Sequence, residues 1–238
     1  MSQREVPQSR LYPHPFSRDY WRDAAAEFKN TKMLIFAALM IALRVALKSI
    51  RIPIGPELNI SIAFFVNALG AMTFGPVVAM AAAVVSDTLG ALLFPSGPYF
   101  FPFIFTEMAG SLVFALFLYR AKLTVARVTT CRFCIDFFVN IVLQTPVMAL
   151  YYQVMLGKTY NWLNWMRIAK NLVLFPFESV LLVLFLRLAV PPLRQQHIVK
   201  STVDDLKFNQ DSVLTMIALT LLSVAAAVLY TLYKEGIL

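Results

Sequence analysis

The stretch Leu92-Leu93-Phe94-Pro95-Ser96-Gly97-Pro98-Tyr99-Phe100-Phe101-Pro102-Phe103-Ile104-Phe105 interrupts two long apolar runs with three prolines, one glycine and no charge. It is hydrophobic enough for a membrane and too broken to be a helix. Lipid cannot satisfy bare backbone N–H and C=O groups, so irregular backbone at membrane depth must pack in protein or line a cavity. The segment therefore reads as the wall or lid of a binding cavity, or else as a tight apolar turn between two hydrophobic helices.

Working outward, 59% of the 238 residues are hydrophobic and 14% charged, the profile of an all-α polytopic membrane bundle and not of a soluble domain. Seven apolar runs are expected to span: Met33 to Ile50, Asn59 to Phe74, Val77 to Leu93, Phe103 to Tyr119, Phe133 to Leu156, Ile168 to Leu188 and Val213 to Tyr233. The second and third are short and joined only by Gly75-Pro76, which fits two tilted helices or a re-entrant hairpin. The chain thus divides into a polar, aromatic N-terminal segment (1–32) that is cytoplasmic or lies along the membrane surface, a core of six spans (33–190), a cytoplasmic linker (191–211) opening on Pro191-Pro192, and an additional transmembrane helix (212–238). Arg120, Lys122, Arg127 and Arg132 follow the fourth span, and Arg194, Lys200 and Lys207 follow the sixth, whereas residues 94–102 carry no basic group. By the positive-inside rule the chain is a multi-pass protein of the cell membrane with its N-terminus cytoplasmic and the proline-rich segment outside.

Several function classes lose ground on the same residues. A net charge of +8 suggests nucleic acid, but the basic residues sit between apolar runs and follow topology, so no nucleic-acid partner is expected. Arg4, Arg10, Arg18 and Arg22 lie among acids with no apolar core and no cleavage site, so no signal peptide is read. Cys131 and Cys134 form a C-x-x-C without two further ligands nearby, and both histidines, His14 and His197, fall outside the spans. Gly157-Lys158-Thr159 imitates the end of a phosphate-binding loop, but the earlier glycine position holds Tyr152 and the preceding residues are an apolar span. No cofactor, metal or enzymatic activity is expected, and ATP-driven transport needs separate subunits.

The first span has two faces. At about 100° per residue, Ala38, Ala42 and Ala46 fall near 0°, 40° and 80°, while Arg44, Lys48 and Arg51 fall near 240°, 280° and 220°. The small-residue stripe lets another helix approach closely, a neighbour in this chain or a separate subunit. The basic stripe faces the bundle interior or its outer mouth, and Lys48 and Arg51 can also snorkel to headgroups. Asp87, Glu107 and Glu178 sit within apolar spans, where each either pairs with Arg44 or meets a ligand; Asp136 orders one end of the fifth helix. Arg167, Lys170, Asn171 and Glu178 fall close to one face of the sixth span. Two basic clusters meeting an uncharged aromatic lid suit an anionic aromatic solute: guanidinium groups pair with carboxylates, and Phe and Tyr faces stack on a flat ring. The same residues can instead simply tie the helices together.

The run Ser86-Asp87-Thr88-Leu89-Gly90-Ala91-Leu92-Leu93-Phe94-Pro95-Ser96-Gly97-Pro98-Tyr99-Phe100 resembles the third helix and following loop of substrate-binding S components of energy-coupling factor (ECF) vitamin transporters, specifically the folate group. Arg167-Ile168-Ala169-Lys170-Asn171-Leu172-Val173-Leu174-Phe175-Pro176 is similar to that group's sixth helix, and the alanine stripe is similar to the family's motif for docking on the transmembrane T subunit. The resemblance implies a six-helix vitamin-binding subunit that captures its cargo outside, joins the T subunit and two ATPase subunits, and topples in the membrane to release cargo inward. It implies substrate-binding or site-shaping roles for Arg44, Asp87, Pro95, Gly97, Tyr99, Arg167, Lys170 and Asn171, with Phe100 and Glu107 joining them in the site expected from the residues themselves. Folate, with a pterin ring and a glutamate tail, is the expected ligand. The chain departs from the family pattern in the Phe101 that precedes Pro102, in the long N-terminal segment and in the seventh span. An S component for another vitamin or a modified base, and a membrane assembly protein or intramembrane enzyme, are the competing expectations.

Overall fold

The computed structural model of the protein describes residues 11–48, 51–53, 59–95, 97–160, 165–203 and 206–234. Arg4, Arg10, Ile50, the side chain of Arg51 and Ser96 lie outside the described residues. The elements run α1 (Arg18–Ala26), a 3-10 turn (Glu27–Lys29), α2 (Thr31–Lys48), strands β1 (Arg51–Pro53) and β2 (Asn59–Ser61), α3 (Ala63–Leu93), α4 (Phe103–Leu118), α5 (Val125–Cys134), a π-helical stretch (Ile135–Leu143), α6 (Gln144–Leu156), α7 (Trp165–Gln195) and α8 (Gln210–Lys234). Among the described residues three helices are long and apolar enough to cross a membrane, Ala63–Leu93, Val125–Leu156 and Lys170–Gln195, and Arg18–Lys29 with Thr31–Lys48, bent by 83°, reach that length only when taken together.

Local chemistry sets the helix starts. The Asn30 side chain accepts the Lys32 N–H at 3.1 Å as α2 begins, and Thr124 accepts the Arg127 N–H at 3.2 Å as α5 begins. This cap moves the start of the fifth helix from the expected Phe133 back to Val125, so Arg127 and Arg132 are helical and not part of a polar connection. The second span likewise differs from expectation: Asn59–Ser61 pairs antiparallel with Arg51–Pro53, and helix begins only at Ala63. At the other end of the bundle, α7 carries straight through Pro191-Pro192 to Gln195. Proline's φ suits a helix. What it removes is an N–H, and the carbonyls left without one belong to Arg187 and Leu188, which lie on an exposed turn and not in the packed core.

Gly75 breaks α3 with φ 78° and ψ 177°. A Cβ there would meet the Tyr119 ring at 3.0 Å, and the positive φ suits only glycine, so both space and backbone demand this residue. Asn67 and Asp87 lie 20 residues apart, which a straight helix would spread over about 30 Å. Both instead line cavities that share Lys48. The two halves of α3 therefore fold back on each other at Gly75-Pro76, as two short helices against α2 and α4. Their small residues, Ala68, Gly70, Ala71, Ala79, Ala82 and Ala83, are buried and let the helices close up.

The end of the bundle beside Gly75 is knitted by polar contacts. Tyr12 N–H donates to the Arg120 carbonyl at 2.7 Å, and Leu123 and Thr202 exchange bonds through Leu123 N–H to Thr202 O (2.8 Å) and Thr202 N–H to Ala121 O (3.1 Å). Buried Glu27 accepts from Lys200 Nζ (2.7 Å), Arg120 Nη2 (3.1 Å) and the Tyr119 hydroxyl (3.2 Å), while Arg120 also pairs with Asp23. The Tyr20 hydroxyl donates to the Ala115 carbonyl at 2.9 Å, and burial pushes its pKa well up. These bonds hold Arg120 at φ 46°, a backbone conformation that a non-glycine residue adopts only under restraint. The N-terminal segment, the α4–α5 connection and the α7–α8 connection thus meet at one end, and the broken Leu92–Phe105 stretch lies at the other.

Candidate ligand-binding site

Helix α2 sorts its residues as their angles require. Ala38, Ala42 and Ala46 are exposed beside Ile35, Leu39 and Leu43, while Arg44 is 5% exposed on the opposite side. Arg44 Nη2 donates to Glu107 Oε2 at 2.8 Å. Lys48 does not snorkel to headgroups: its ammonium reaches Asp87 Oδ1 at 2.8 Å and Glu107 Oε1 at 3.6 Å. Inward acids are the reason, since a cation with two carboxylates in reach gains more than one left at an interface. Glu178 pairs not with Arg44 but with Arg132, which also holds Asp136 at 2.9 Å. Arg132 comes within reach of Glu178 because α5 starts early and turns this side chain into the bundle, where it lies 4.6 Å over the Phe64 ring.

These groups surround a cavity of two lobes that share Lys48, Thr106, Glu107 and Gln144. The inner lobe, about 290 Å³, is bounded by Arg44, Asn67, Arg132, Asn140, Lys170, Asn171 and Glu178. The π-helical stretch supplies one wall: its i→i+5 bonding winds more residues into each turn, so Ile135, Val139, Asn140 and Gln144 share a face. Asn140 Nδ2 donates to both Asp136 Oδ1 (3.1 Å) and Asn171 Oδ1 (3.0 Å), and Asn171 Nδ2 donates to the Arg167 carbonyl at 2.9 Å. The outer lobe, about 530 Å³, is bounded by Lys48, Asp87 and the broken stretch from Phe94 to Phe103, with Met148 and Tyr151 of α6 opposite. Phe100 is the anchor of that stretch, 6% exposed, with ring centroids 5.6 Å from Phe103 and 5.5 Å from Tyr151. Pro95, Gly97 and Tyr99 border the same lobe but are exposed. The stretch is therefore a cavity wall, not merely a turn.

The electrostatics are nearly closed and then left open at specific atoms. Arg44, Lys48 and Arg132 each have a carboxylate partner. Lys170 lines the inner lobe and, among the described residues, has no carboxylate within salt-bridge distance. Arg44 Nε, Arg132 Nε and Asp136 Oδ2 are buried without a hydrogen-bond partner among the described residues. Buried polar atoms are rarely left so, and two of these three, on Arg44 and Arg132, belong to residues that line the inner lobe, where a polar ligand can complete the set. Among the described residues no three His, Cys, Asp or Glu side chains converge as metal ligands. The arrangement can bind, orient and desolvate a solute with both a flat ring and negative charge.

Of the residues singled out in the sequence, the fold brings Arg44, Asp87, Pro95, Gly97, Tyr99, Phe100, Glu107, Lys170 and Asn171 to this cavity. Arg167 is not among its walls; its guanidinium lies 5.5 Å over the Tyr160 ring. Sequence reasoning missed Asn67, Arg132, Asn140, Gln144 and Tyr151. The one usable signal was Arg132–Asp136 at i,i+4.

A family model described as the S component of an ECF-type riboflavin transporter matches residues 28–187. The folate transporter FolT of Clostridium novyi (strain NT) is 30% identical over 154 residues, 65% of this chain and 87% of that relative. FolT of Leuconostoc mesenteroides is 27% identical over 156 residues, 63% and 81% respectively. A crystal structure of FolT bound with folic acid superimposes with a TM-score of 0.60 at 25% identity, covering 72% of this chain and 99% of that one.

Proposed function

We propose that this chain, which belongs to the S components of energy-coupling factor transporters, captures folate at the end of the bundle that carries the Leu92–Phe105 stretch and hands it on for ATP-driven uptake. The family is one of transporter subunits and not of enzymes, and the apolar helices make the chain a multi-pass membrane protein. The observation that carries the ligand assignment is the cation Lys170, which lines the inner lobe and, unlike Arg44, Lys48 and Arg132, has no carboxylate within salt-bridge distance among the described residues. Folate brings carboxylates for Lys170 and Arg44 and a flat pterin ring for Phe100 and Tyr151, with ring N–H donors that suit Asp87 or Glu107. Two joined lobes of about 290 and 530 Å³ are of the size that encloses such a molecule. The folate transporters among the relatives, and the folic acid in the solved one, support the same reading.

Riboflavin, named by the matching family model, is the second reading. Its ring fits the aromatic wall, but it brings no carboxylate for Lys170. Calorimetric titration of the purified chain, without nucleotide or other subunits, separates the two: folic acid is expected to bind and riboflavin not, and the reverse result refutes the folate assignment. Chemistry is left to partners, a T subunit that receives the alanine face of α2 and two ATPase subunits. The N-terminus is cytoplasmic and the aromatic wall opens outward, a reading supported under the positive-inside rule by Arg120 and Lys122 between α4 and α5 and by Lys200 and Lys207 between α7 and α8.

A further inference from the structure

A third cavity, about 710 Å³, lies at the opposite end from the ligand site and has no place in vitamin capture. It is a groove between the N-terminal segment and the start of α5. Its floor is apolar, made by Leu116 and Phe117 of α4 with Pro13, Pro15, Phe16 and Trp21. Its rim is basic, formed by Lys122, Arg127 and His14, with no carboxylate among the lining residues. Phe16 is 88% exposed and Trp21 39% exposed, so the aromatic wall is presented outward and not packed away.

Orientation gives this groove a level in the bilayer. The α1 segment turns 83° from α2, so with α2 along the membrane normal α1 lies in the plane of the surface. Its buried side is Tyr20, Ala24 and Glu27, and its other side carries Arg18, Trp21 and Arg22, all exposed. A helix of that pattern, basic and aromatic toward the outside, belongs at the boundary between headgroups and acyl chains. Arg127 is set for an anion at that level. Its Nε donates to the Phe117 carbonyl and its Nη1 to the Pro13 carbonyl (3.3 Å), which fixes the guanidinium across the groove without neutralising it. No carboxylate lies within salt-bridge distance of Arg127 or Lys122 among the described residues.

We propose that this groove seats an anionic glycerophospholipid of the leaflet bordering the N-terminal segment, its phosphate between Lys122 and Arg127 and its glycerol and proximal acyl carbons along Phe16, Trp21, Leu116 and Phe117. Apolar floor and acid-free basic rim together match the two halves of such a lipid; free phosphate uses only the rim, and a zwitterionic lipid brings a cation for which the lining offers no carboxylate.

The test is native mass spectrometry of the full chain in detergent, after incubation with equal phosphatidylglycerol and phosphatidylcholine. Phosphatidylglycerol is expected to be retained in preference. Lys122→Glu should cut that retention at least about fivefold, the weight of one basic group beside an anionic lipid. Phe16→Ser, at a position exposed enough to leave folding intact, should also cut it, with folic acid affinity unchanged in both. Equal retention of the two lipids, or wild-type retention of phosphatidylglycerol in both variants, overturns the proposal. Displacement of phosphatidylglycerol by excess inorganic phosphate also overturns it, since the groove is then an anion site and not a lipid site.

Discussion

Lys170 differs from the other cavity cations in what it lacks. Arg44 and Arg132 are buried but compensated; removing Arg132 strands Asp136 and Glu178, and removing Arg44 leaves Glu107 to share Lys48 with Asp87, so their loss confounds folding with binding. Lys170 is largely spared that problem because no carboxylate lies within salt-bridge distance of it among the described residues. Lys170→Ala is therefore expected to weaken folic acid binding by roughly 10- to 100-fold, the weight of one charge-assisted hydrogen bond. The ligand-free protein should meanwhile unfold at close to the wild-type temperature, because no salt bridge within the described residues is lost. Calorimetry and thermal unfolding in one detergent check both halves, and a variant that loses stability without losing affinity contradicts the role. Glu107 illustrates the opposite economy. It bridges Arg44 and Lys48, so a ligand group approaching either cation must share them with an acid already in place.

Element α2 works as a partition. One side builds the cavity through Arg44 and Lys48, and the other presents Ala38, Ala42 and Ala46 between Ile35, Leu39 and Leu43. A flat small-residue stripe on an exposed helix face permits close approach of another helix, and each larger side chain on it pushes the backbones apart. Ala42→Leu is expected to leave folic acid affinity unchanged and to abolish uptake when the chain is coexpressed with T and ATPase subunits. Copurification of the T subunit at the wild-type level with this variant would mean that docking uses another face. The α5–π–α6 helix shows a second kind of partition: its first part is buried in the bundle, whereas α6 has no buried residue and offers Gln144, Met148 and Tyr151 to the outer lobe from one side only.

Across the whole molecule, the end remote from the ligand is bound through Glu27, whose carboxylate joins residues from the N-terminal segment, the α4–α5 connection and the α7–α8 connection. The segments added to the matched region 28–187 therefore do not dangle from it; they are tied into it. Glu27→Gln should cost about 3 kcal/mol of stability, because Lys200 loses its partner in a mostly buried setting. In the double variant Glu27→Gln with Lys200→Met part of that loss should return, since the stranded cation is gone as well. Unfolding monitored in detergent measures the cycle, and additive losses would show that the two residues do not act as a pair.

Much of this was legible in the chain itself, for identifiable reasons. Helical angles alone placed the alanine stripe and Arg44 on opposite faces of α2, and hydrophobicity with three prolines marked the Leu92–Phe105 stretch as cavity wall, because both follow from local geometry and the cost of bare backbone in lipid. Gly75-Pro76 likewise announced the reversal within α3. Which acid meets which base was not legible. Sequence offered Arg44 as the partner of any buried carboxylate, yet Lys48 takes Asp87 and Arg132 takes Glu178, and Arg167, equally charged and on the expected helix, ends on Tyr160. Ion pairing falls off within a few ångströms, and distances across helices are set only when the whole bundle packs, so charge and periodicity choose the face while tertiary structure alone chooses the partner.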